Sequence, residues 1–167
     1  TAITASALLG LTVILVVANL LGSLHGAGVF PKDVGLRFVV MSVIFYLVVS
    51  IQGSLQAFMP VNAFVHFTDW VIGHSHLAML GFASFAAAGA LTHAWPHIPG
   101  ARYNVRLVSV AYWLLFAGLL IMVVDLTVAG LVQAQLWQSG APWTSSLEAA
   151  RPYWVVRTLS SIPIACG

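Results

Sequence analysis

Apolar residues run almost unbroken through this chain, with none of the strict alternation that marks a strand. Four runs are each long enough to cross a bilayer as a helix, which takes about 20 residues. They cover residues 3–24, 36–58, 70–95 and 107 to about 135. The first carries no charge, the second only Arg37 at its edge, and the third histidines but no acid or strong base. The fourth carries one carboxyl, Asp125. A fifth run begins near Pro152, ends at Gly167 and is expected to be too short to span. The predicted fold is all-α: a polytopic transmembrane helix bundle of four full spans and a truncated fifth, one membrane domain over residues 1–167. Because the chain starts almost inside a helix, it reads as part of a longer protein.

Composition strengthens this reading. Sixty per cent of the 167 residues are hydrophobic and 6% are charged, against roughly 25% charged in a soluble domain. Six Lys/Arg and four Asp/Glu cannot cover a water-facing surface or build a basic face. A soluble domain, a disordered tail and a nucleic-acid binder are excluded. Cys166 stands alone, so neither an intrachain disulfide nor a cysteine metal site can form. No secretory signal is apparent, since the first run lacks a basic flank and a cleavage pattern.

The loops orient the bundle. Lys32, Arg37, Arg102 and Arg106 fall on one side, with His25, Asp33 and His97, whereas the opposite loops hold only Arg151 of the basic set. The positive-inside rule assigns the first side to the cytoplasm. Trp70, Trp137, Trp143 and Trp154 then fall near outer ends, where an aromatic belt is expected.

The candidate chemistry centres on Gly73-His74-Ser75-His76 in the third run. Intramembrane histidines are costly and point to function. Two residues apart on a helix means a rotation of about 200°, so the two imidazoles diverge. One shared ion would need a spacing of three or four. Diverging rings suit two separate sites, such as two haem irons each held from one side. The alternative is a pair of neutral histidines hydrogen-bonded to neighbouring helices, and the motif alone leaves both readings open.

The flanks extend the pattern. The run His66-Phe67-Thr68-Asp69-Trp70-Val71-Ile72-Gly73-His74-Ser75-His76, followed by Leu80-Gly81-Phe82, resembles the catalytic subunit I of haem-copper oxygen reductases, most closely the cbb-type (C-family) cytochrome c oxidases. It departs from the usual cbb-type order at Ala78-Met79-Leu80. The resemblance implies a part of a terminal respiratory oxidase that takes electrons from cytochrome c and reduces oxygen to water with coupled proton uptake. It implies two haems of b type. His74 would be the ligand of the high-spin haem iron, His76 one axial ligand of the low-spin haem iron, and His66 a neighbour of the propionates. Copper would lie on helices absent from this chain, so the fragment alone is expected to be inactive. His25, His93 and His97 fall in or beside the inner loops and do not replace those ligands. Partners implied are a c-type cytochrome donor, the other oxidase subunits and the lipid of a bacterial inner membrane. Two rivals stay open: a nitric oxide reductase large subunit, which shares the paired-haem helix, and a transporter fragment relaying protons through His74 and His76.

Other polar residues divide between roles. Arg157 is assigned to the haem propionates, because guanidinium pairs well with carboxylate, and Arg151 to snorkelling. Asp125 is either a proton relay or a structural residue bonded to a neighbour such as Thr127. The structural reading is preferred because no partner acid or base is visible. Thr68 and Asp69 suit helix capping or a haem-side role. Asn19, Gln52 and Gln56 suit interhelical hydrogen bonds or a proton path. Gly81, Ala83, Ser84, Ala86, Ala87, Ala88 and Gly89 thin the lower part of the third helix for close packing.

Overall fold

A computed structural model describes residues 2–25 and 33–167, and Lys32 of the inner loop lies outside them. The described residues form helices and turns only. In chain order they are α1 (Ala2–Gly22), α2 (Val34–Gln56), α3 (Met59–Val65), α4 (Asp69–His76), a π-helical stretch (Leu77–Ser84), α5 (Phe85–Ala94), a short 3-10 turn (Trp95–His97), α6 (Val105–Gln138) and α7 (Trp143–Cys166). Four helices are long and apolar enough to cross a membrane: Ile3–Gly22, Val34–Gln56, Asp69–His97 and Val105–Gln138. They match the four uninterrupted runs.

Side chains at the starts set the boundaries. Asp33 accepts from Leu36 N at 2.9 Å, and Asn104 accepts from Arg106 N at 2.9 Å. Each satisfies a first-turn N–H that no helical carbonyl can reach. Successive spans run antiparallel, so the starts of α2 and α6 share one end with the finish of α5. We call it the inner end.

The core lies between α2, α5 and α6. Phe38, Phe45, Phe85 and Tyr112 are buried there, with Phe38 edge-on to Tyr112 at 5.0 Å and Phe45 edge-on to Phe85 at 5.3 Å. Helix α1 packs on α2, through Val13, Val17 and Val43. Its other face, including Leu8, Leu11 and Leu15, is exposed.

Four expectations need correction. The fifth segment is not short. Helix α7 starts at Trp143, nine residues before Pro152, and runs for 24 residues, about 36 Å at 1.5 Å per residue. Pro152 and Pro163 lie inside it, and α7 packs along α6 through buried Ser146, Ala150 and Ser160. Proline suggested a start because it suits the first helical turn, but tertiary packing carries the helix through it. The outer loop after α2 is also partly helical, as α3 with Pro60 in its first turn. Finally, Trp70 is buried and no belt residue; it packs against the backbone of Gly130 on α6. Of the expected small-residue seam only Gly81 and Gly89 are buried, while Ala83, Ser84 and Ala87 are exposed.

Candidate functional site

The histidine pair sits on α4, whose outer end is anchored from three directions. Thr68 Oγ1 donates to Val65 O at 2.7 Å and accepts from Trp70 N at 3.3 Å, capping the helix as expected. Asp69 follows, and it is buried. Its backbone N–H donates to Gln133 Oε1 of α6 at 2.7 Å. Its Oδ2 accepts from Gln133 Nε2 at 2.9 Å and from Trp154 Nε1 of α7 at 3.0 Å. Asp69 therefore does more than favour the helix dipole: it ties α4 to α6 and α7. A buried polar group left unsatisfied is costly, and a satisfied network fixes one arrangement. Trp154→Phe keeps the ring and removes the indole N–H, and should destabilise the full-length protein by about 1–3 kcal/mol in thermal unfolding.

Glycines bring α4 onto α6. A Cβ at Gly73 would stand 3.1 Å from Leu126 Cβ, and one at Gly130 would collide with the Trp70 backbone. The connection into α4 is strained, since Phe67 has φ +63°, a left-handed conformation costly for an aromatic residue. His66 and Phe67 are exposed at this corner with ring centroids 3.9 Å apart.

His74 and His76 do diverge. His74 turns toward α2, with Nδ1 3.3 Å from Gln52 Oε1 and its ring parallel to Trp70 at 6.2 Å. A Cβ on Gly53 would lie 3.5 Å from its Cε1 and 3.9 Å from its Nε2, so glycine keeps side chains off that edge. His76 has Nδ1 2.8 Å from Ile72 O, and the ring borders a recess of about 290 Å³ with Ser75, Met79 and Leu80. A carbonyl oxygen can only accept, so Nδ1 is the donor in each contact, and in the neutral imidazole Nε2 keeps its lone pair. A histidine that binds metal usually gives its other N–H to such an acceptor. The donor set thus fits two axial imidazoles. Among the described residues neither ring belongs to a cluster of three or more metal-ligating side chains.

The remaining candidates scatter. Arg157 is half-buried on α7, and Asp125 of α6 lies within electrostatic reach of Arg157 and Asp69. Asp125 Oδ2 is buried without a hydrogen-bond partner. Thr127 is not that partner, for its hydroxyl donates to Val123 O. Gln52 makes the interhelical bond to His74, while Gln56 Nε2 is buried without a partner. His93 and His97 lie together near the inner end, ring centroids 5.4 Å apart. Sequence reading missed Gln133 as an Asp69 partner; its one sign was a polar residue near the end of an apolar run.

A family model described as cytochrome c and quinol oxidase polypeptide I matches residues 1–162. The chain belongs to this family. It is similar to the cbb3-type cytochrome c oxidase subunit CcoN1 of Stutzerimonas stutzeri, 32% identical over 145 residues, covering 81% of this chain and 31% of the relative. A cytochrome c oxidase subunit 1 homolog from Agrobacterium tumefaciens is 31% identical over 140 residues, covering 78% of this chain and 26% of the relative. Cytochrome c oxidase subunit 1 of Thermus thermophilus is 35% identical over 83 residues, covering 48% of this chain and 15% of the relative. The segment spans less than a third of the length of these oxidase subunits. Its family is one of haem-copper oxidoreductases, and the cbb3-type likeness agrees with the run from His66 to Phe82.

Proposed function

We propose that this chain is the haem-binding part of a terminal respiratory oxidase that takes electrons from cytochrome c and reduces oxygen to water with coupled proton uptake. The observation that carries the reading is the pair of imidazoles on one helix, each with Nδ1 held by a carbonyl oxygen and Nε2 left free, on different sides of α4. Haem, when bound, supplies the redox-active iron. His74 would hold the high-spin haem and His76 the low-spin haem, both of b type, with Gln52 and the Ile72 carbonyl fixing the two tautomers. His66 and Arg157 are proposed neighbours of the propionates, and Asp125 a proton relay. Copper is assigned to histidines elsewhere in the complete subunit. The partners are a c-type cytochrome and further oxidase subunits, and the site is a bacterial inner membrane. The inner end, with Arg37, Arg102 and Arg106, faces the cytoplasm.

The test is the absorption spectrum of the purified full-length protein. Soret and α bands that sharpen on reduction, with a pyridine haemochrome of b type, are expected. A colourless protein rejects haem ligation and returns His74 and His76 to interhelical bonding.

A further inference from the structure

Two histidines at the inner end form a pair that the haem reading does not use. His93 lies in the last turn of α5, and His97 closes the 3-10 turn that follows, Trp95–His97. Residues four apart on a helical course are neighbours on one face. That is the spacing by which two imidazoles grip one ion. The ring centroids are 5.4 Å apart, with the ring planes tilted by 53°. Where His74 and His76 diverge, these two rings lie side by side.

Local structure holds the pair in place. His97 Nδ1 is 3.1 Å from the His93 carbonyl oxygen. Carbonyls in a last turn run short of helical N–H donors, so Nδ1 donates there. In the neutral ring Nε2 then keeps its lone pair, the arrangement in which a histidine binds metal. Pro96 stands between the two histidines in the 3-10 turn, and its fixed φ stiffens the backbone that sets their spacing. The end of α5 is itself seated on α2 through Gly89, where a Cβ would come within 2.6 Å of Val39 Cγ2 and 3.0 Å of Gly35 O.

The surroundings suit a cation. Both rings are exposed, and among the described residues the His93 ring has no hydrogen bond. His93 borders a cleft of about 330 Å³ that Asp33 also lines. A Cβ on Gly35 would lie 3.2 Å from Asp33 Oδ1 and 3.5 Å from His93 N, so the carboxylate stands beside the last turn of α5. Asp33 caps α2 through Oδ1, but its negative charge remains and offsets the arginines of the inner loops.

We propose that His93 and His97 form a surface site for a divalent transition cation of the zinc type. Among the described residues no third metal-ligating side chain joins the pair, so water fills the remaining positions. Imidazole nitrogen suits zinc, copper(II) and nickel, whereas magnesium and calcium take oxygen ligands. The exposed rings are free to turn until both nitrogens reach the metal–nitrogen distance of about 2.0–2.1 Å. The ion clasps the 3-10 turn to α5 and fixes the inner end of the span Asp69–His97. The inference stands apart from haem ligation, because neither residue takes part in it.

The experiment uses the untagged full-length protein in nanodiscs, washed with chelator and titrated with Zn²⁺. Wild type should hold one more zinc than His93→Ala or His97→Ala, with the visible absorption spectrum unchanged; both positions are exposed, so folding is kept. Each substitution should weaken binding more than about 100-fold, since loss of a group that merely supports a ligand already costs about 10–100-fold. Zinc-edge X-ray absorption, which does not register haem iron, should show two imidazoles on that ion. Zinc should also raise the melting temperature of wild type and leave that of His97→Ala where it was. Equal zinc count and affinity in wild type and both variants overturns the proposal. So does an extra zinc that carries fewer than two imidazoles, or one that excess Mg²⁺ displaces. A colourless protein that still binds this zinc ends the haem reading and leaves the site standing.

Discussion

His76→Ala in the full-length protein should remove the low-spin haem absorption and stop electron input if, as proposed, His76 holds that haem, while the high-spin signal persists. Imidazole Nε2 is the nitrogen ligand this recess offers: His76 borders it with Ser75, Met79 and Leu80, of which only the Met79 thioether could bind haem iron, and as a weaker donor. Turnover should fall by more than about 100-fold, because loss of a mere supporting hydrogen bond to a ligand already costs about 10–100-fold. His74→Ala gives the mirror outcome, with the low-spin spectrum kept and the oxygen-binding signal lost. Gln52→Leu deletes only the acceptor of His74 Nδ1 and belongs in the smaller range. Added imidazole should restore part of the low-spin spectrum in His76→Ala, which separates lost ligation from misfolding. An unchanged spectrum in His76→Ala ends the assignment.

The second large effect is structural. Gly130→Val places a branched side chain into the backbone of Trp70, where even a single Cβ has no space. Overpacking typically costs about 1–3 kcal/mol when side chains can yield. Here the obstacle is main chain at the start of α4, held by Thr68 and by Asp69 with Gln133 and Trp154. The cost should therefore exceed about 3 kcal/mol, and the variant should yield little folded protein and little bound haem. Gly22→Ala is the control, since nothing lies within 4 Å of a Cβ there; its melting temperature should stay near wild type. A Gly130→Val protein that melts like wild type would show that α4 and α6 do not meet as described.

The spans were readable because continuous apolar runs of this length have few other physical outcomes. The cap at Thr68 follows from side-chain chemistry at the start of the third run, while those at Asp33 and Asn104 emerge only in the structure. Divergence of His74 and His76 follows from helix geometry alone. What escaped is what depends on partners far along the chain. Asp69 meets Gln133 and Trp154 across 64 and 85 residues, and no local pattern announces such pairs. The start of α7 escaped because Pro152, a good helix opener, sits mid-helix when α6 packs alongside. Left-handed Phe67 was likewise invisible, since nothing in an aromatic residue asks for a positive φ.

The π-helical stretch from Leu77 to Ser84 follows His76 directly, and such wide turns cluster where function needs a non-standard phase. It acts as a gear between the turn that carries His74 and His76 above and the Phe85–Gly89 packing below. Removing one residue from it would tighten the spiral and swing the imidazoles by about 100° against that lower anchor. Members of this family that kept the anchor but lost the offset would aim both rings at the wrong neighbours, so a deletion there should be far more damaging than any single replacement.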